Sequence, residues 1–164
     1  ATYFDMIGQK TASLIATSCE LGAITTTKTK IDRKSTYDFG HNLGIAFQIK
    51  DDLFDILGSE FETGKNSNSD VKKNMITLPL IHAKSKMSRI QKRKLNNLLS
   101  KKNKNKRILL SIRQLIMEAG GIQYSIDKME EYSNLALKAI SNYPDSPIKV
   151  SLNDLVSYNG SRIK

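Results

Sequence analysis

Asp51, Asp52 and Asp55 put three carboxylates inside five positions of an otherwise apolar stretch, Phe47-Gln48-Ile49-Lys50-Asp51-Asp52-Leu53-Phe54-Asp55. On a helix, Asp51 and Asp55 lie one turn apart on one face, with Asp52 beside them and Gln48 one turn earlier. Carboxylates this close repel one another unless a cation bridges them. Oxygen-only ligands favour Mg²⁺ or Mn²⁺ over zinc or copper, and Mg²⁺ held by a few carboxylates takes its other ligands from water and phosphate. The cluster therefore points to diphosphate chemistry.

The flanks count against a merely exposed acidic turn. Leu43, Ile45, Ala46, Phe47, Ile49, Leu53, Phe54 and Ile56 surround the acids, so the helix is expected to be largely buried, where an unpartnered carboxylate is costly. A calcium loop starting at Asp51 fails, because its sixth position would be Ile56 where the turn needs glycine. Diphosphate held at these acids calls for further cations. Lys10, followed by Thr11, interrupts an apolar helical pattern, and Lys65 follows Gly64 in a polar stretch whose backbone amides could face an anion. Each lysine also has the plainer reading of a surface side chain. Gln48 could orient substrate or stabilise a developing cation.

The elements that must position these residues read as helices. Residues 3 to 24 carry Tyr3, Phe4, Ile7, Thr11, Leu14, Ile15, Ser18 and Leu21 at spacings of three and four, ending near Thr25-Thr26-Thr27. A second helix is predicted from a cap at Asp32 to about Leu57, stopped by Gly58. Within it Gly40 and Gly44 cost helix stability and predict a close backbone contact. Residues 59 to 77 read as a long polar loop beside the acids, of a length usual for functional lids. Pro79 opens a short helix, and further helices are predicted near 88–100, 105–119, 122–142 and 146–162, broken by Gly120-Gly121, Pro144 and Pro147. The expected fold class is all-α, in one domain.

The chain of 164 residues has no twenty-residue apolar run and shows no signal peptide pattern. Cys19, alone, fits a small buried side chain in a reducing compartment, and a cytoplasmic location is expected. His41 and His82 lack metal-ligand spacing. The net charge of +10 is local: between Lys84 and Arg107 stand eleven Lys or Arg and no Asp or Glu. Three readings remain for that segment: a solvated helix pair with a basic connector, peripheral contact with anionic lipid, and nucleic-acid binding. The last is disfavoured because the segment holds no aromatic side chain on which bases could stack.

The run Gly44-Ile45-Ala46-Phe47-Gln48-Ile49-Lys50-Asp51-Asp52-Leu53-Phe54-Asp55 resembles the second aspartate-rich motif of the trans-isoprenyl diphosphate synthases. Lys10-Thr11 upstream, Gly64-Lys65 and Asp70 downstream, and Thr77-Leu78-Pro79-Leu80 fall where that family has its lysine-threonine, glycine-lysine, aspartate and threonine-leucine-proline elements. The resemblance covers the whole chain, including Arg162, and is strongest to bacterial octaprenyl- and decaprenyl-type polyprenyl synthases. It implies a helical bundle of the isoprenoid synthase type and Mg²⁺-dependent condensation of an allylic diphosphate with isopentenyl diphosphate, by ionisation, attack and proton loss. It implies that Asp51 and Asp55 contact the metal, with Asp52 supporting and Asp70 acting through water. Lys10 and Lys65 would hold the allylic diphosphate, while Thr11, Phe47 and Gln48 line the reacting carbons. Family members are commonly homodimers.

Two positions depart from the family pattern. Met75 stands where a lysine is usual, a role Lys72 or Lys73 could take over, and Lys50 replaces an apolar residue and could pair with one of the acids. The first aspartate-rich motif and the isopentenyl-diphosphate-binding arginines have no counterpart. Residues 1–164 are therefore expected to be the C-terminal portion of a single synthase domain, inactive without the N-terminal half, and exposing the faces meant for it. A non-catalytic subunit that pairs with and tunes an active synthase is the alternative, and a basic docking module the third.

Overall fold

A computed structural model describes residues 2–27, 29–57, 71 and 76–161. Every regular element among them is helical: α1 (Tyr3–Ile7), a π-helical turn (Gly8–Ala12), α2 (Ser13–Ile24), α3 (Lys30–Leu57), α4 (Leu78–Lys86), α5 (Arg89–Leu99), α6 (Lys106–Glu118), α7 (Gly121–Ala139) and α8 (Pro147–Ser161). The all-α expectation holds, with boundaries within three residues of those read from periodicity. Two points differ. The predicted first helix is interrupted by the π-helical turn, and α3 is capped by Thr29, not Asp32: the Asp32 amide donates to the Thr29 hydroxyl at 3.2 Å, and that hydroxyl donates to the Asp32 carboxylate. Asp32 occupies the first turn of α3, where a carboxylate also suits the helix dipole. Gly58 and the loop residues apart from Val71, Ile76 and Thr77 lie outside the described residues.

The chain divides into two compact units, residues 1–50 with 128–164, and residues 51–127. In the first, Phe39, Leu43, Ala136, Ile140 and Val156 form a buried cluster, and Cys19, Leu137, Tyr143 and Leu152 pack against it. The predicted glycine contact is present. A Cβ added to Gly40 would lie 2.8 Å from the Ala16 Cα, and one added to Gly44 would lie 2.6 Å from the Ala12 Cα. Two hydrogen-only faces, one turn apart, let α3 approach the backbone at Ala12 and Ala16.

In the second unit α6 packs against both α4 and α5, with Leu95, Ile112 and Ile116 wholly buried. Pro79 falls in the first turn of α4, where its missing N–H costs nothing. Gly120 ends α6 with φ +74°, a left-handed residue of the kind glycine supplies best. Gly121 opens α7 so close to the Pro79 carbonyl that a Cβ there would lie 2.2 Å from the oxygen.

Candidate functional site

Within the first unit, the side chains that could handle an anion and a cation lie on the π-helical turn and on α3. Lys10 and Thr11 sit inside the turn, which carries one extra residue per turn and so swings their side chains out of α-helical register. Nothing in the sequence marks that turn. Lys10 is exposed and Thr11 half-buried. The Thr11 hydroxyl donates to Gln48 Oε1 at 2.7 Å, joining two residues 37 positions apart. Gln48 is half-buried and Phe47 is 45% exposed. The pairing of Thr11 with Gln48 is a contact that the sequence elements imply only by their order.

Lys50, on the same helix, is 5% exposed. Its ammonium donates to the Tyr158 carbonyl at 3.1 Å and lies 5.7 Å above the Tyr158 ring. Tyr158 belongs to the last described turn of α8, where a buried cation suits the negative end of the helix dipole. Beside it Asn159 is buried with its Nδ2 lacking any hydrogen-bond partner among the described residues.

Within the second unit, the carboxylates divide by face, as the 100° step of a helix requires. Asp51 is exposed, Asp55 half-buried, and Asp52 only 6% exposed. The Asp55 carboxylate accepts from the Val71 amide at 3.4 Å. Among the described residues no three Asp, Glu, His or Cys side chains converge as a metal cage. The donor set is instead two carboxylates one turn apart, which fits a cation such as Mg²⁺ that keeps water and phosphate as its other ligands. Lys65 and Asp70, with Met75, Lys72, Lys73 and Arg162, lie outside the described residues.

Arg113 was not singled out by sequence, yet its guanidinium donates to the carbonyl of Leu57, the last residue of α3. It ties α6 to the helix end just beyond Asp55. An arginine on an otherwise apolar amphipathic face is the signal that could have found it.

Neither histidine gains a chemical role. His82 stacks on Tyr124 with ring centroids 3.9 Å apart, and burial, aided by the Lys86 charge, lowers its pKa. His41 stacks against Tyr37, with Nδ1 buried and unpartnered among the described residues. Partial burial against the core cluster raises the Cys19 thiol, in keeping with an inert side chain. No helix among the described residues is long and apolar enough to cross a membrane.

Comparison with known proteins now gives these features a family. The polyprenyl synthetase family model matches residues 1–116. Over 161 residues the chain is 32% identical to heptaprenyl diphosphate synthase component 2 of Geobacillus stearothermophilus, covering 98% of this chain and 49% of that protein. The geranylgeranyl pyrophosphate synthetase structure from Pyrococcus horikoshii superposes with a TM-score of 0.90 at 28% identity, covering 98% of this chain and 48% of that one. A polyprenyl synthase from Caulobacter crescentus, solved with calcium and isoprenyl diphosphate, matches with a TM-score of 0.88 at 28% identity, over 98% and 49% of the two chains. The chain spans about a third to a half of the length of the curated relatives it matches. Its fold is the helical fold of the prenyl synthases, and the chain belongs to the polyprenyl synthetase family.

Proposed function

We propose that residues 1–164 form the C-terminal portion of a prenyl-chain-elongating synthase and supply its second aspartate-rich motif. The observation that carries this reading is the pair Asp51 and Asp55, one turn apart at the end of α3, in a chain whose relative binds calcium and isoprenyl diphosphate. When bound to Asp51 and Asp55, Mg²⁺ (with Mn²⁺ as a substitute) supplies positive charge to the departing diphosphate of an allylic substrate. Asp52 supports this pair from its buried position, and Asp70 contributes through a water.

Lys10 and Lys65 hold the diphosphate as its charge grows, an interaction stronger in the transition state than in the ground state. The Thr11 hydroxyl donates to Gln48 Oε1 and orients the amide, whose partial negative charge favours the allylic cation. Phe47 offers an exposed aromatic face to the same positive charge. The cation is attacked by the double bond of isopentenyl diphosphate, a proton is lost, and the chain grows by five carbons. The reading places the enzyme in the cytoplasm, as a homodimer.

In the complete protein carrying this chain, Asp51→Ala should reduce incorporation of labelled isopentenyl diphosphate at least about a hundredfold. Near-normal turnover would remove the assignment. A second reading, a subunit of a heteromeric synthase, is favoured by the relative named component 2 of heptaprenyl diphosphate synthase. It predicts that a second protein is needed for turnover; if that subunit is non-catalytic, Asp51→Ala in the mixture leaves activity intact.

A further inference from the structure

The chemistry above leaves unused the most strongly charged surface of the chain. The second unit contains a helix pair, α5 and α6, and the sequence from Lys84 at the end of α4 through α5 to Arg107 at the start of α6 holds eleven basic and no acidic residues. Lys86, Arg89, Lys92, Arg93, Lys94, Lys101, Lys102, Lys106 and Arg107 are all exposed. Even the N-terminal turns of the two helices are built without acid. Ser88 and Gln91 form a neutral capping box on α5, and Asn105 caps α6. Arg89 at the first position of α5, and Lys106 and Arg107 at the first two of α6, stand at the end where the helix dipole disfavours cations. Such an arrangement is unfavourable within the chain and becomes favourable against an external polyanion.

The nature of that polyanion follows from what stands among the charges. Ile90 is 82% exposed on α5, flanked one turn away by Arg93 and Lys94, and Leu110 is 53% exposed on α6, one turn after Lys106 and Arg107. Basic side chains interleaved with protruding aliphatic ones match a bilayer surface, where the charges meet anionic headgroups and the apolar tips enter the interface. From Lys84 to Arg107 there is no Phe, Tyr, Trp or His, so the surface lacks the stacking platform of a single-strand binder. We infer that the α5–α6 pair docks the protein on an anionic lipid bilayer, peripherally and reversibly. The choice of a bilayer rests in part on the proposed function, whose product is an amphiphile with a hydrocarbon tail.

The test measures binding without substrate, so its outcome stands apart from the condensation assay. The complete protein is sedimented with vesicles of phosphatidylcholine alone, or with about one third phosphatidylglycerol, in low and high salt. Binding is expected only to the anionic vesicles and is lost in high salt. Replacing Arg93, Lys94 and Lys102 with Gln should weaken partitioning about a hundredfold, at roughly fivefold per charge. Ile90→Ser should weaken it further with the charge intact. All four positions are exposed, and circular dichroism of each variant checks that the fold is retained. Equal binding to neutral vesicles, no response to these substitutions, or stronger salt-sensitive binding to a single-stranded oligonucleotide than to vesicles would each overturn the proposal.

Discussion

Gly44→Ala tests whether the approach of α3 to the π-helical turn is as close as the structure has it. The added Cβ would lie 2.6 Å from the Ala12 Cα, 2.9 Å from its Cβ and 3.4 Å from its nitrogen. Carbon atoms pack at about 3.5–4.0 Å, so the two segments must separate by roughly 1 Å. Two of the three opposing atoms are backbone, which no rotamer change can move aside. Overpacking of this kind costs about 1–3 kcal/mol, and a backbone clash belongs in the upper half of that range. Alanine returns about 1 kcal/mol through its better helix propensity. The net expectation is a loss of about 1–2 kcal/mol, or a melting temperature lower by about 2–8 °C for a domain of this size.

Gly22→Ala supplies the control within the same unit. Gly22 is exposed in α2 and a Cβ there meets nothing within 4 Å, so only the propensity gain remains, about 0.5–1 kcal/mol of added stability. Thermal or urea unfolding of the two variants should therefore shift in opposite directions. A Gly44→Ala protein that melts at or above the parent, while Gly22→Ala behaves as expected, refutes the close packing. Because Thr11 immediately precedes Ala12, the same separation should lengthen the Thr11–Gln48 bond and lower kcat beyond the stability loss.

Lys50→Met keeps the length of the buried stem and removes the donor to Tyr158. With a charged hydrogen bond contributing about 1.5–3 kcal/mol, amide exchange in the last turn of α8 should accelerate about tenfold to a hundredfold, and unchanged exchange there would count against that anchoring. The Asp32 carboxyl is held below its ordinary value of 3.8 by hydrogen bonds from Thr29 and then Thr27. A depressed carboxylate contributes stability that is complete above 3.8 and is lost as pH falls through the lower folded value. Thr29→Val should thus be less stable than the parent at pH 6, with a deficit that shrinks in melts below pH 3.8; a deficit constant with pH would refute this origin.

What the sequence made legible, and what it did not, divides along a physical line. Helix periodicity and Gly or Pro punctuation are local, so α4 to α8 were placed to within three residues, and Gly40 and Gly44 announced their contact because only a close neighbour offsets their cost. The carboxylates were visible as chemistry for the same reason: three acids in an apolar stretch conflict with burial unless something binds them. Their division between faces also follows from local geometry, and it leaves Asp52 buried while Asp51 is exposed. The π-helical turn was not legible, because no residue type from Gly8 to Ala12 distinguishes it from the α-helical pattern around it. The carbonyl partners of Lys50 and Arg113 were missed for a related reason. Each side chain reaches a last-turn carbonyl, of α8 and of α3, and a carbonyl acceptor leaves no mark on the sequence that supplies it. The carbonyl contacts made by Lys50 and received by the end of α3 are therefore the ones a sequence reading is least equipped to see, although the candidate site residues on that helix are the most conspicuous in the chain.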